Sequence, residues 1–205
     1  MVKAFTLDAN TTTPLDTQLA AAGTAETDGE IAVDILMGFK DGGGFTPSVT
    51  SGGLQSVTRA AAASGESWWV SVPVPNRTTA GKGIMPTGMT VNYTVGTADV
   101  VVDLRCELWK VTQGADGAAR TAAVLFGNDN ADYDADHNTP AKRGDDTAAP
   151  ELHKATLVDA GTPAYMGAGE TLLFRFFVDD TGGGTSAVIL TSAVVQFTEN
   201  TVDLS

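Results

Sequence analysis

From Val100 to Trp109 the chain reads V-V-V-D-L-R-C-E-L-W, with Val100, Val102, Leu104, Cys106 and Leu108 on one side. Asp103, Arg105 and Glu107 fall on the other, a period of two that predicts a long strand with one dry and one wet face. The same alternation predicts strands at 31–39, 68–74, 89–95, 120–126, 152–158, 171–178 and 186–197. In 31–39 the inward set is Ile31, Val33, Ile35, Met37 and Phe39. Pro73 and Pro75 mark a strand end or a sheet edge, and Gly81, Gly83, Pro86 and Gly88 make 76–88 a loop. The short link Gly96-Thr97-Ala98-Asp99 joins the strand at 89–95 to the one at 100–109, which together read as a hairpin. Residues 46–66 are weakly patterned, and 54–63 is compatible with a short helix.

Residues 1–28 read as an extended arm, with a short strand at 2–7, a Thr-rich run to Pro14 and one or two helical turns after it. Residues 29–205 then form one domain. About eight strands joined by turns predict an all-β, antiparallel sandwich of jelly-roll-like form. A parallel α/β fold is disfavoured because few gaps have the length and periodicity of a helical crossover.

Composition agrees with this class: Gly, Ala and Thr are abundant and Lys is scarce. The formal net charge of −13 argues against nucleic acid and against anionic membranes as partners. No apolar run has the length of a membrane span, and the first ten residues lack a signal-peptide core. A chain made in the cytosol that stays soluble is the expectation. Cys106 is the sole cysteine and lies on the dry side of its strand, so it reads as a buried structural thiol rather than a nucleophile.

Few residues invite chemistry. The segment N-D-N-A-D-Y-D-A-D-H-N spaces Asn128, Asn130, Asp132, Asp134 and Asp136 at every other position. Such spacing can converge oxygen ligands on calcium, so Asp132, Asp134 and Asp136 are candidate ligands. His137 stands at the glycine position of a calcium loop, however, and Arg143 at that of its closing Glu. A solvated acidic loop is the favoured reading, with no metal or cofactor expected. Gly81-Lys82-Gly83 lacks the rest of a phosphate loop. His137 and His153 are the only histidines, and no nucleophile elbow or zinc pattern accompanies them. An enzyme is therefore not expected.

Trp69 and Trp109 both lie opposite the main apolar set of their strands, whereas Trp68 points inward. Large aromatics on outward faces imply contact, and a second protomer, a segment of the same chain and a glycan are the three readings.

The run T-V-N-Y-T-V-G-T-A-D-V-V-V-D-L-R-C-E-L-W is followed by a long loop, E-L-H-K-A-T-L, G-A-G-E-T-L-L-F-R-F-F-V-D-D-T-G-G-G and a last strand ending V-V-Q-F. This order, over 67–198, resembles the β-sandwich modules of tailed-bacteriophage virion proteins: decoration (cement) proteins, head fibres and baseplate or tail-fibre components. The resemblance implies a homo-oligomer, commonly a trimer, on the virion, with the major capsid protein or another virion protein as partner and no site residues. A capsid-surface decoration protein is the expected function; the alternative is a receptor- or glycan-binding fibre or baseplate module.

Overall fold

Alternating strands bury their dry sides only when two sheets face each other, and the described residues do this with eleven strands. The computed structural model describes residues 25–42, 44–49, 52–60, 65–74, 83–96, 103–114, 116, 118–144, 151–161, 165–166, 169–179 and 187–201. The strands are β1 (Ala25–Ala32), β2 (Phe39–Asp41), β3 (Phe45–Val49), β4 (Gln55–Arg59), β5 (Glu66–Val72) and β6 (Gly83–Val95). They continue with β7 (Asp103–Thr112), β8 (Thr121–Phe126), β9 (Glu151–Val158), β10 (Glu170–Asp179) and β11 (Val188–Thr201). One short helix, α1 (Pro140–Arg143), lies between β8 and β9.

One sheet has the order β3-β4-β11-β6-β9, with β1 also paired to β11; the other has the order β2-β5-β10-β7-β8. The pairings are antiparallel throughout. Strands β4 with β11, β5 with β10, β6 with β9 and β7 with β8 are nested pairs, split alternately between the sheets. That nesting is the eight-stranded double-sheet jelly roll. β1 to β3 lie outside these nested pairs; of the eight strands expected, seven correspond to β5 to β11, the one at 31–39 is divided between β1 and β2, and β3 and β4 were not expected.

The core lies between the sheets. Trp68, Leu104, Cys106, Leu108, Phe174 and Phe176 from one sheet meet Met89, Val91, Tyr93, Leu157 and Val195 from the other, all buried. A gap of about 10 Å between packed sheets is filled by such interdigitating side chains.

Several local expectations are corrected. The strand predicted at 31–39 stops at Ala32 and gives way to a 3-10 turn at Ile35–Met37, where the Asp34 side chain accepts from the Leu36 N–H. This turn swings Met37 and Phe39 outward, 76% and 56% exposed, while Val33 and Ile35 stay buried. Gly38 is needed at the exit because a Cβ there would collide with the Trp68 indole. Where a short helix was allowed at 54–63, Gln55–Arg59 form strand β4 instead, with Val57 and Arg59 buried, and 61–63 lie outside the described residues. Residues 83–88, expected in a loop, begin β6, with Ile84 and Pro86 buried. β6 and β7 form no hairpin but belong to opposite sheets, because the dry sides of both must face the same core. Residues 1–24, which hold most of the expected arm, lie outside the described residues, and β1 runs across residue 28.

Candidate functional site

The two sheets differ in what they turn outward. On the six-stranded sheet some outward positions of β6 and β11 carry amides and hydroxyls that bond one another, while Leu152 and Val158 of β9 are exposed apolar side chains on the same face. Asn92 Nδ2 donates to Ser192 Oγ at 2.8 Å and Gln196 Nε2 to Thr90 Oγ1 at 3.2 Å. Thr191 Oγ1 donates to the Asn92 carbonyl at 2.9 Å.

On the five-stranded sheet, strand register sets three outward rows across the strands. One is Phe39, Trp69, Arg175 and Glu107. A second is Ser71, Leu173, Trp109 and Val124. The third is Asp41, Ser67, Phe177 and Arg105. The first two rows together make a nearly continuous aromatic and aliphatic face.

Trp69 and Trp109 stand on β5 and β7, with β10 between them, and their rings meet above it. Their centroids are 5.6 Å apart and the planes cross at 67°, an edge-to-face geometry that the ring quadrupoles favour. The Arg175 guanidinium sits 5.2 Å from the Trp69 ring and 4.5 Å from the Phe177 ring. Beneath them Glu107 is only 1% exposed. Its Oε2 accepts from Trp109 Nε1 at 2.7 Å and from Arg175 Nη1 at 3.0 Å. Arg175 Nε donates to Ser67 Oγ at 2.9 Å. Arg105 pairs with Asp103, whose hydrogen bond raises the guanidinium pKa above its ordinary value.

The sequence placed both tryptophans outward but did not bring them together. Nor did it find Arg175 and the covered Glu107, which stood on the supposedly wet side of β7. The register that sets Arg175 between Trp69 and Glu107 is not written in any one strand.

The acidic segment is built differently from a calcium loop. Asp132 Oδ2 accepts the Gly127 N–H at 2.7 Å and the Asp129 N–H at 3.4 Å, closing a capped 3-10 turn. Asp134 turns to the edge of β9: its N–H donates to the Thr156 carbonyl at 2.9 Å, and its Oδ2 accepts the Thr156 N–H at 2.6 Å. Its Oδ1 meets His137 Nδ1 at 2.8 Å and accepts the Asp136 N–H at 3.0 Å. Asp136 is exposed. Asp132 and Asp134 thus serve separate partners, and among the described residues no group of three or more His, Cys, Asp or Glu side chains is placed to hold a metal.

Arg143, noted in the sequence only as a mismatch, anchors this segment. It is buried and donates from Nε to the Leu104 carbonyl at 2.6 Å, and from Nη1 to the His137 carbonyl at 2.9 Å and Asn130 Oδ1 at 3.1 Å. Its guanidinium lies 4.3 Å from the Tyr133 ring. The Tyr133 hydroxyl accepts from the Cys106 N–H at 2.8 Å and donates to the Gly127 carbonyl at 2.8 Å. Burial raises the pKa values of Tyr133 and Cys106 well above their ordinary ranges. His153 stacks on Tyr93 at 4.9 Å and His137 packs edge-on to His153 at 5.5 Å, so both histidines sit in packed ring contacts. Gly81 and Lys82 lie outside the described residues. Among the described residues no helix is long and apolar enough to cross a membrane.

No protein-family model matches the chain, and no curated protein matches it. Among solved structures, a mutant of a carbohydrate-binding module of family 29 is 12% identical at a TM-score of 0.29, covering 88% of this chain and 96% of the module. A second family 29 mutant, complexed with cellulohexaose, is 12% identical at a TM-score of 0.29 and covers 83% of this chain and 91% of its own. A mutant VP2 protein of infectious bursal disease virus, from T=1 particles, is 12% identical at a TM-score of 0.23 and covers 97% of this chain and 40% of that one. Overlaps this loose identify neither a family nor a ligand.

Proposed function

We propose that the chain is a non-enzymatic virion structural module, a capsid-surface decoration protein that works by assembly. The observation that supports this reading is the outer face of the five-stranded sheet, which carries Phe39, Trp69, Trp109, Leu173 and Val124 around the Arg175–Glu107 pair. Trp and Arg are enriched at the energetic centres of protein interfaces, and a contiguous outward apolar face marks a contact surface. The net charge of −13 suits a shell with basic patches and keeps the free protein soluble.

The test mixes purified protein with undecorated capsids and follows co-sedimentation and capsid melting. Binding with a raised capsid melting temperature is the expected result, and its absence rejects the reading. The alternative, a glycan-binding module, needs open ring faces on which sugars stack. Here the two indoles cross at 67° and Trp69 already carries a guanidinium. Glycan-array binding that disappears in Trp69→Ala would replace the decoration reading with that one.

A further inference from the structure

We propose that the outer face of the five-stranded sheet is covered by the same face of a second copy of this chain, in a two-fold pair. The inference rests on the assembly reading above and names the partner of that face.

Size is the first argument. With strands about 4.8 Å apart and about 3.4 Å per residue, β2, β5, β10 and β7, the four strands that overlay one another in this pair, present a flat area of roughly 500 Å². Projecting side chains raise the accessible area toward the ~800 Å² per partner of a standard stable interface. No described helix or strand is layered over this face. A further sheet packed at about 10 Å is the ordinary way to bury such a surface.

Charge is the second. A two-fold contact is self-complementary only if one face carries both signs, since each residue i meets j and each j meets i. In the third outward row Asp41 stands on β2 at one end and Arg105 on β7 at the other. Asp41 is exposed, and the Arg105 side chain is 39% exposed. A two-fold axis lying in the interface, parallel to the strands between β5 and β10, sets β2 over the partner's β7 and β5 over the partner's β10. Asp41 then faces the partner's Arg105, and Trp69 faces the partner's Arg175. The other exposed large apolar side chains among the described residues, Met37 in the 3-10 turn, Val49 on β3, Leu54 beside β4, and Leu152 and Val158 on β9, are spread over four separate places.

The test is sedimentation of the full chain across a concentration series. The expected mass is twice the 21.1 kDa of one chain. Asp41→Arg and Arg105→Asp should each weaken pairing at least about tenfold by setting like charges together, and the double variant should restore it. A single-chain or three-chain mass overturns the proposal, as does pairing that ignores both reversals or is not restored in the double variant. Arg105 also pairs with Asp103, so its reversal is read only alongside an unchanged circular dichroism melt; Asp41 lies on an exposed edge strand and decides the matter by itself if Arg105→Asp fails to fold. Single chains that still decorate capsids would end this inference and leave the proposed function standing. Paired chains that ignore capsids would do the reverse.

Discussion

The indole of Trp69 meets that of Trp109 edge to face above β10, with centroids 5.6 Å apart, while Trp109 Nε1 donates to a Glu107 carboxylate that is nearly sealed from solvent. The two side chains therefore stabilise the fold as well as shaping the outer face. Trp69→Ala and Trp109→Ala, made singly and together, should show a coupling energy of about 0.5–1.5 kcal/mol in urea denaturation. Additive losses would mean that the ring contact contributes nothing of its own.

A second prediction concerns Arg143, which serves two buried carbonyls, Leu104 and His137, and the Asn130 amide oxygen. Arg143→Met leaves those acceptors without their donor, and each buried polar group so stranded costs about 1–3 kcal/mol. A loss of about 3 kcal/mol or more is expected in chemical denaturation, with new protease cleavage between residues 127 and 144. Arg143→Lys should recover little, because a point-like ammonium lacks the planar fork that reaches acceptors in several directions.

How far the sequence could be read follows from the range of each interaction. In β7 the alternation named Leu104, Cys106 and Leu108 as inward, and all are buried. Burial on one face leaves its imprint on every second residue of a single strand. The segment at 31–39 misled because Ile31, Val33 and Ile35 keep the same period while Asp34 caps a turn that no periodicity records. Pairing across strands left no mark at all: Trp69, Arg175 and Glu107 are neighbours only through register. In the acidic segment the spacing of Asp132, Asp134 and Asp136 allowed ligands, although a solvated loop was the favoured reading; Asp132 caps its own turn, Asp134 meets the Thr156 N–H and the His137 ring, and Asp136 is exposed.

Gly127 supplies a third prediction. Its φ of 95° lies in the left-handed region, and a Cβ there would collide with the Cys106 carbonyl. Gly127→Ala combines backbone strain with a steric clash against a central strand, so a loss of about 2 kcal/mol or more is expected in urea denaturation. The Tyr133 hydroxyl bonds the Gly127 carbonyl, so Tyr133 fluorescence should change along with stability. An unperturbed Gly127→Ala protein would show that the turn can relax away from β7.

The Cys106 thiol provides a fourth. It has no solvent exposure, and burial pushes its pKa well above the ordinary thiol range. A thiol must reach solvent and ionise before it reacts. The native protein should therefore resist a thiol reagent at pH 8 and react stoichiometrically in denaturant, with the native rate following global opening. Fast labelling without denaturant would show that β7 opens locally.

Acid should loosen the acidic segment before it unfolds the sandwich. Partial burial pushes the Asp134 carboxyl upward. The Thr156 N–H, the His137 ring and the Asp136 N–H outweigh that and hold the pKa below its ordinary 3.8. A carboxyl with a lower pKa in the folded state binds fewer protons there than in the unfolded chain. Its contribution is thus fully present above the unfolded value and lost as the pH falls through the folded one. The melting temperature of the wild-type protein should drop on going from pH 5 to pH 3, and Asp134→Asn should flatten that part of the curve while lowering the plateau at pH 7. Asn keeps an acceptor for the Thr156 N–H but cannot offer the charge that His137 meets. Parallel melting curves for the two proteins would show that Asp134 plays no part in the acid sensitivity.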